Sequence, residues 1–253
     1  MKSNFLLIMF FPLLLFSQEA KEHLIFQNAI LTTNPAKIDM FEKALADHNK
    51  KYHSTDLNGV RVYQIRSGKN TGKYVISSGS TWSAFDKRKV IDGHDEHWKS
   101  EFLPNSLPTI DQSFWKFHTD KSHFPMDITV KILMVDMIDV KRGKFKEVMK
   151  IVETVSKVLK EKFPEETFGI YTNEFPSSKE GKDIAWVYFF DKASWLSNEM
   201  EFGKKYDEMF GEGSFEIILK KWRENTEGSS REIWTFREDL SGISGDIKSS
   251  ARK

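Results

Sequence analysis

The chain has no cysteine among its 253 residues. That excludes disulfides, thiolate metal ligands, a cysteine nucleophile and attachment to a membrane through an acylated cysteine. Charge of one sign is lacking too: 38 Lys and Arg stand against 37 Asp and Glu, a formal net charge of +1. Without a basic stripe there is no electrostatic footprint for nucleic acid. The apolar run Phe5–Phe16 is 12 residues long, whereas a spanning helix needs about 20, so no membrane anchor is expected. There is no phosphate-binding glycine loop, no Gly-x-Gly-x-x-Gly, no Gly-x-Ser-x-Gly elbow and no His-Glu-x-x-His, which removes the common nucleotide-binding, serine-hydrolase and zinc-protease signatures.

What opens the chain is Lys2, then that apolar run with Pro12 inside it, then the polar stretch Ser17 to Glu22. A basic start, a short apolar centre and a polar exit are the parts of a secretory signal peptide. Residues 1–18 are read as one, and the protein is expected to be exported to a periplasmic or extracellular location. An exported chain without disulfides has to rely on its core, and the 21 Phe, 7 Trp and 6 Tyr supply one.

The remaining chain repeats itself. Residues 23–118 and 128–237 present the same order of elements. Each opens with an apolar strand, His23 to Leu31 and Ile128 to Ile138. Each continues into an amphipathic helix with apolar steps of three and four: Ile38, Phe41, Leu45, His48 and Tyr52 in the first, Phe145, Val148, Met149, Val152, Val155 and Leu159 in the second. Gly59 and Gly169 then open strands, turns rich in Gly, Lys and Ser follow, and a second helical region begins near Trp82 or Trp195. Each unit closes on an apolar-Trp-polar-Phe strand, around Trp115 and Trp234. Offsets between matched residues only grow, from 104 (Phe41 to Phe145) to 119 (Trp115 to Trp234), as extra loop residues in the second copy would cause. The order β-α-β-β-α-β is that of a ferredoxin-like unit. Residues 119–127 read as a linker, and 241–253, rich in Ser, Lys and Gly, as a flexible tail.

Two such units in tandem resemble the dimeric α+β barrel superfamily, with the closest local texture at Trp186 to Trp195, a strand running into Asp191-Lys192 and then a tryptophan. The resemblance implies an α+β fold in which two sheets close into a pseudo-dimeric barrel. It leaves activity open, because the superfamily includes cofactor-free monooxygenases, heme-degrading and heme-dependent enzymes and stress proteins. The heme-degrading branch uses an asparagine on the first strand, a tryptophan and a second-helix histidine. The resemblance thereby implies Asn28, Trp82 and His94 or His97 as catalytic candidates. Two features depart from that pattern: Trp82 opens its helix, and the histidines follow Gly93.

All seven histidines lie before residue 124 and the second copy has none, so a site is expected in the first copy. His48 falls on the apolar stripe of its helix where the second copy has Val152. A buried imidazole needs a partner or a ligand, and a satisfied core histidine is the plain alternative. Trp115 and His118, at the end of the last strand of the first copy, join His48 as candidate ligand-binding residues. His94 and His97, three apart with carboxylates between them, are candidate ligands for a divalent metal; heme is the other cofactor the resemblance implies. The expected function is binding of a small apolar or aromatic ligand. The alternatives are a monooxygenase-like or heme-handling enzyme with its site in the first copy, and a purely structural or interaction pseudo-dimer.

Overall fold

The computed structural model describes residues 22–55, 58–177 and 181–252. The expected signal peptide lies outside the described residues. Eight strands close into a barrel: β1 (Ile25–Thr33), β2 (Arg61–Ile65), β3 (Tyr74–Ser80), β4 (Ser106–Phe117), then, after the short β5 (Ile128–Thr129), β6 (Ile132–Val140), β7 (Thr167–Asn173), β8 (Ile184–Phe190) and β9 (Thr226–Phe236). The order around the barrel is β1-β3-β2-β9-β6-β8-β7-β4, with antiparallel neighbours throughout. Cut at its two seams, β2–β9 and β4–β7, it falls into the runs β4-β1-β3-β2 and β9-β6-β8-β7.

Strand alternation sends every second side chain inward. Tyr63, Val75, Trp115, Phe117, Leu133, Val135, Tyr171, Val187 and Trp234 fill the barrel. The space left there is about 70 Å³, room for one or two waters rather than an aromatic ligand. Trp115 pairs across from Phe26, and Trp234 from Leu133.

Helices cover the outer face. Helix α1 (Ile38–Tyr52) buries Phe41, Leu45, His48, Asn49 and Tyr52 against the outward residues Leu31, Val62 and Tyr74. Two short helices of the same half, α2 (Trp82–Asp86) and α3 (His94–His97), flank a loop, and the chain leaves α3 through one wider π turn, Trp98–Phe102. Helix α4 (Phe145–Lys162) buries Val148, Val152 and Leu159 against Phe168, Ile170, Ile184 and Trp186. Helices α5 (Phe202–Phe210) and α6 (Ser214–Asn225) close over the same layer with Phe202 and Trp222. Leu45 and Val152 are fully buried as the helical stripes require, but Ile38 and Phe145, the first residue of each stripe, are 43% and 44% exposed. A helix's first turn projects past the edge of the sheet it covers, so the stripe begins one turn later than periodicity indicates.

Two segments differ from the sequence reading. The tail expected to be flexible is packed: β10 (Asp246–Ile247) pairs with β5, and Ser241 and Ile247 are buried. Serine and glycine composition was a poor guide because both residues are used for contact. Ser241 Oγ accepts from Val62 N at 2.9 Å, and a Cβ on Gly242 would stand 2.0 Å from the His53 carbonyl oxygen. The 119–127 linker is likewise tied in. Ser122 Oγ accepts from Ile170 N at 2.9 Å, His123 bridges Phe168, and Phe124 joins the core.

Candidate functional site

An open cleft of about 520 Å³ lies between the outer face of the first half and its helices. Gln27, Ala29 and Leu31 of β1 form its floor, His48, Asn49 and His53 one wall, and Arg88 to Ile91, His94 and Trp98 the other. The matching face of the second half is filled by side chains, among them Met200, Phe202 and Trp222.

The polar wall is a histidine cluster. On α1, His48 follows Leu45 by three residues and so faces the sheet; it is 0% exposed. His53 caps the C-terminus of the same helix. The opposing wall is pinned to it: Tyr52 Oη donates to the Gly93 carbonyl at 2.9 Å, and Gly93, at φ 72°, turns the chain into α3. That places His94 Nε2 3.2 Å from His53 Nε2, and His97 Nδ1 3.3 Å from His48 Nδ1. One ring nitrogen from each of His48, His53 and His94 lies within 4.8 Å of the others.

Second contacts fix the tautomers. His53 Nδ1 lies 2.9 Å from the Asn58 carbonyl oxygen, which only accepts, so this nitrogen carries the proton. His94 Nδ1 lies 2.9 Å from Asp95 Oδ1 and donates to it. Burial pushes the His48 imidazole down to about 3, with the neighbouring His53, His94 and His97 adding to it. Burial also lowers His53, against the opposing pull of the Asn58 carbonyl. His48 and His53 are therefore neutral at pH 7, with lone pairs free for a proton, a hydrogen bond or a metal. His48 Nε2 is buried without any hydrogen-bond partner among the described residues.

The other expected site residues are dispersed. Asn28 lies on the opposite face of β1, in the barrel interior with Trp115, and Trp115 Nε1 donates to Ser113 Oγ at 2.8 Å. Trp82 packs on Phe114 and Phe85 and donates to Glu174. His118 pairs with Thr172 Oγ1 at 2.8 Å, and burial pushes it down to about 4. Asn28, Trp82 and His97 do not form one catalytic group, and neither Trp115 nor His118 is among the cleft's lining residues. The expected metal pair is split as well: His94 meets His53, while His97 backs His48 from the far side. His53, which the sequence did not mark out, takes the second place. Its only local signal was position, since a histidine after Lys50 and Lys51 at a helix end reads as a cation complementing the helix dipole.

Nor do these residues fit a heme. Its iron offers one axial position on either side of a plane that its own ring nitrogens fill. Three protein nitrogens converging within 4.8 Å leave no room for that plane.

No protein-family profile and no curated protein matches the chain. Solved structures do. A candidate monooxygenase from Fusobacterium nucleatum subsp. nucleatum ATCC 25586 matches at 13% identity and TM-score 0.57, over 86% of this chain and 94% of its own. A second, from Lactobacillus acidophilus NCFM, matches at 10% identity and TM-score 0.52, over 90% and 100%. The W145F chlorite dismutase of Candidatus Nitrospira defluvii matches at 7% identity and TM-score 0.51, over 88% and 94%. At such identities the likeness is one of fold: the chain has the closed α+β barrel architecture of these proteins.

Proposed function

We propose that the chain is an exported protein of two like halves, which takes a small apolar or aromatic molecule with one polar end into the cleft of its first half. The observation that carries this is the asymmetry of the outer faces. The second half fills its sheet–helix layer with Phe202 and Trp222, whereas the first leaves an open cleft and lines it with neutral imidazoles. The runs β4-β1-β3-β2 and β9-β6-β8-β7 correspond one for one, with a buried tryptophan at the matching place in each, which supports an internal repeat. Export rests on the three-part pattern of residues 1–18. Among the described residues no helix is long and apolar enough to cross a membrane.

Leu31, Val60, Ile76 and Trp98 offer the apolar contacts of the cleft, and the imidazoles offer acceptors for a hydroxyl. Ligand sites with many apolar groups and few convergent polar ones are the common kind. Oxidation of the bound molecule by dioxygen is the second reading. Two of the fold neighbours are candidate monooxygenases.

Equilibrium dialysis against 1-naphthol tests the binding. The expected result is about one equivalent per chain, weakened at least about tenfold (1.4 kcal/mol) in Ala29→Phe, which fills the cleft from the strand side. Undiminished binding by Ala29→Phe would move the site elsewhere. No binding by the wild type would leave the structural pseudo-dimer as the better reading.

A further inference from the structure

We infer that His48, His53 and His94 bind a divalent transition-metal ion in the wall of this cleft, an inference that rests on the cleft being the working site. Three features of the cluster lead to it.

The first is spacing. Nitrogens bound to one tetrahedral ion at about 2.0–2.1 Å stand about 3.4 Å apart. His53 Nε2 and His94 Nε2 are already 3.2 Å apart, and the nitrogen of His48 lies within 4.8 Å of both. Closing the remaining gap to about 3.4 Å completes the triangle.

The second is the direction of the lone pairs. His53 Nδ1–H is committed to the Asn58 carbonyl and His94 Nδ1–H to Asp95. Rings so held face each other through their Nε2 atoms across a gap of 3.2 Å. With no proton shared between them these are two acceptors, which do not bond, and the arrangement calls for a positive body between them. A captured proton would serve the pair, but it would do nothing for His48. Its Nδ1 is taken by His97, and its remaining nitrogen is a fully buried orphan. A cation held by one nitrogen of each ring would serve His48 as well as the facing pair.

The third is the outer ring of contacts. Metal-binding histidines characteristically donate their other N–H to a carbonyl or a carboxylate, which fixes ring and tautomer. Here Asn58 supplies the carbonyl and Asp95 the carboxylate. The Tyr52–Gly93 hydrogen bond holds the two walls together. Neutral imidazole ligands select Zn, Cu, Fe, Co or Ni over Mg and Ca. Three protein ligands leave a coordination position for water or for a molecule in the cleft.

The untagged full chain, stripped with EDTA, should take up one Zn²⁺ per chain in equilibrium dialysis. Co²⁺ should give the visible absorption of a four-coordinate site. His53→Ala and His94→Ala should each weaken Zn²⁺ by more than the 10–100-fold expected of a change behind the ligands, and Asp95→Asn should fall within about that range. His97→Ala should retain the ion. Melting temperatures with and without Zn²⁺ guard against a merely unstable variant, because only a chain that holds the ion gains from it. Absence of saturable uptake, or uptake unchanged in His53→Ala and His94→Ala, would overturn the inference. Binding of 1-naphthol by the same stripped samples separates the two claims. Naphthol without zinc sinks the metal site alone, and zinc without naphthol sinks the ligand reading alone.

Discussion

Replacing His48 by valine asks whether the imidazole is there for stability. The residue is fully buried and its Nε2 has no partner, a state that costs about 1–3 kcal/mol. Valine removes that cost. It also removes the 3.3 Å contact to His97, worth about 0.5–1.5 kcal/mol, though His97 is half-buried and water can replace the partner. The smaller side chain leaves a void of less than one methylene, costing about 0.5 kcal/mol or less. These terms nearly cancel, so His48→Val should lie within about 1 kcal/mol of the metal-free wild type. Leu45→Ala, one turn earlier on the same stripe and equally buried, should cost about 2–4 kcal/mol. Urea titrations in EDTA read both, as shifts in midpoint at an unchanged slope. A loss above about 2 kcal/mol for His48→Val would show that the imidazole is a structural member, and the reasoning that assigns it a task would fail.

Three further outcomes follow from the packing. Gly242→Ala places a methyl against the His53 carbonyl, 2.0 Å away, and the Asn49 carbonyl, 2.9 Å away; because both neighbours are backbone, thermal unfolding should show a loss of about 2 kcal/mol or more, together with weakened naphthol binding. Arg237 donates to both oxygens of Glu42, at 2.7 and 2.8 Å, and holds that carboxylate below its usual range. Arg237→Lys keeps the charge but not the fork, and should cost about 1–2 kcal/mol in urea. His118 has a folded-state value pushed down by burial from 6.5 to about 4, so the unfolded chain binds the proton first. Its contribution is complete above pH 6.5 and is lost as pH falls through 4. After screening this amounts to about 1 kcal/mol or less, and His118→Gln should flatten that part of the stability profile relative to wild type.

The barrel was legible because its cues are local. Alternating strands, helical stripes around Leu45 and Val152, and a tryptophan closing each half all survive in single-sequence pattern, and the structure places these residues in its core. The site was legible only in part. His48 stood out because it interrupts an apolar stripe, a conflict between pattern and residue that local reading detects. Its partners did not, because the contacts that define them span 41 to 49 residues and depend on Tyr52 pinning Gly93. His94 and His97 looked like a pair because they share a helical face, yet His97 meets His48 of α1 while His94 meets His53, which caps that helix. The tail misled for a related reason: its serine and glycine contacts reach back about 180 residues, Ser241 to Val62 and Ser244 to Arg61, and composition carries no trace of them.

The location of the site is tested most directly by histidine ring resonances during a titration with 1-naphthol. Those of His48, His53 and His94 should shift together and saturate at one equivalent, with His97 following through His48, while His23, His118 and His123, which do not line the cleft, stay in place. Saturable shifts confined to His118 or His23, with the cleft histidines unmoved, would contradict the account.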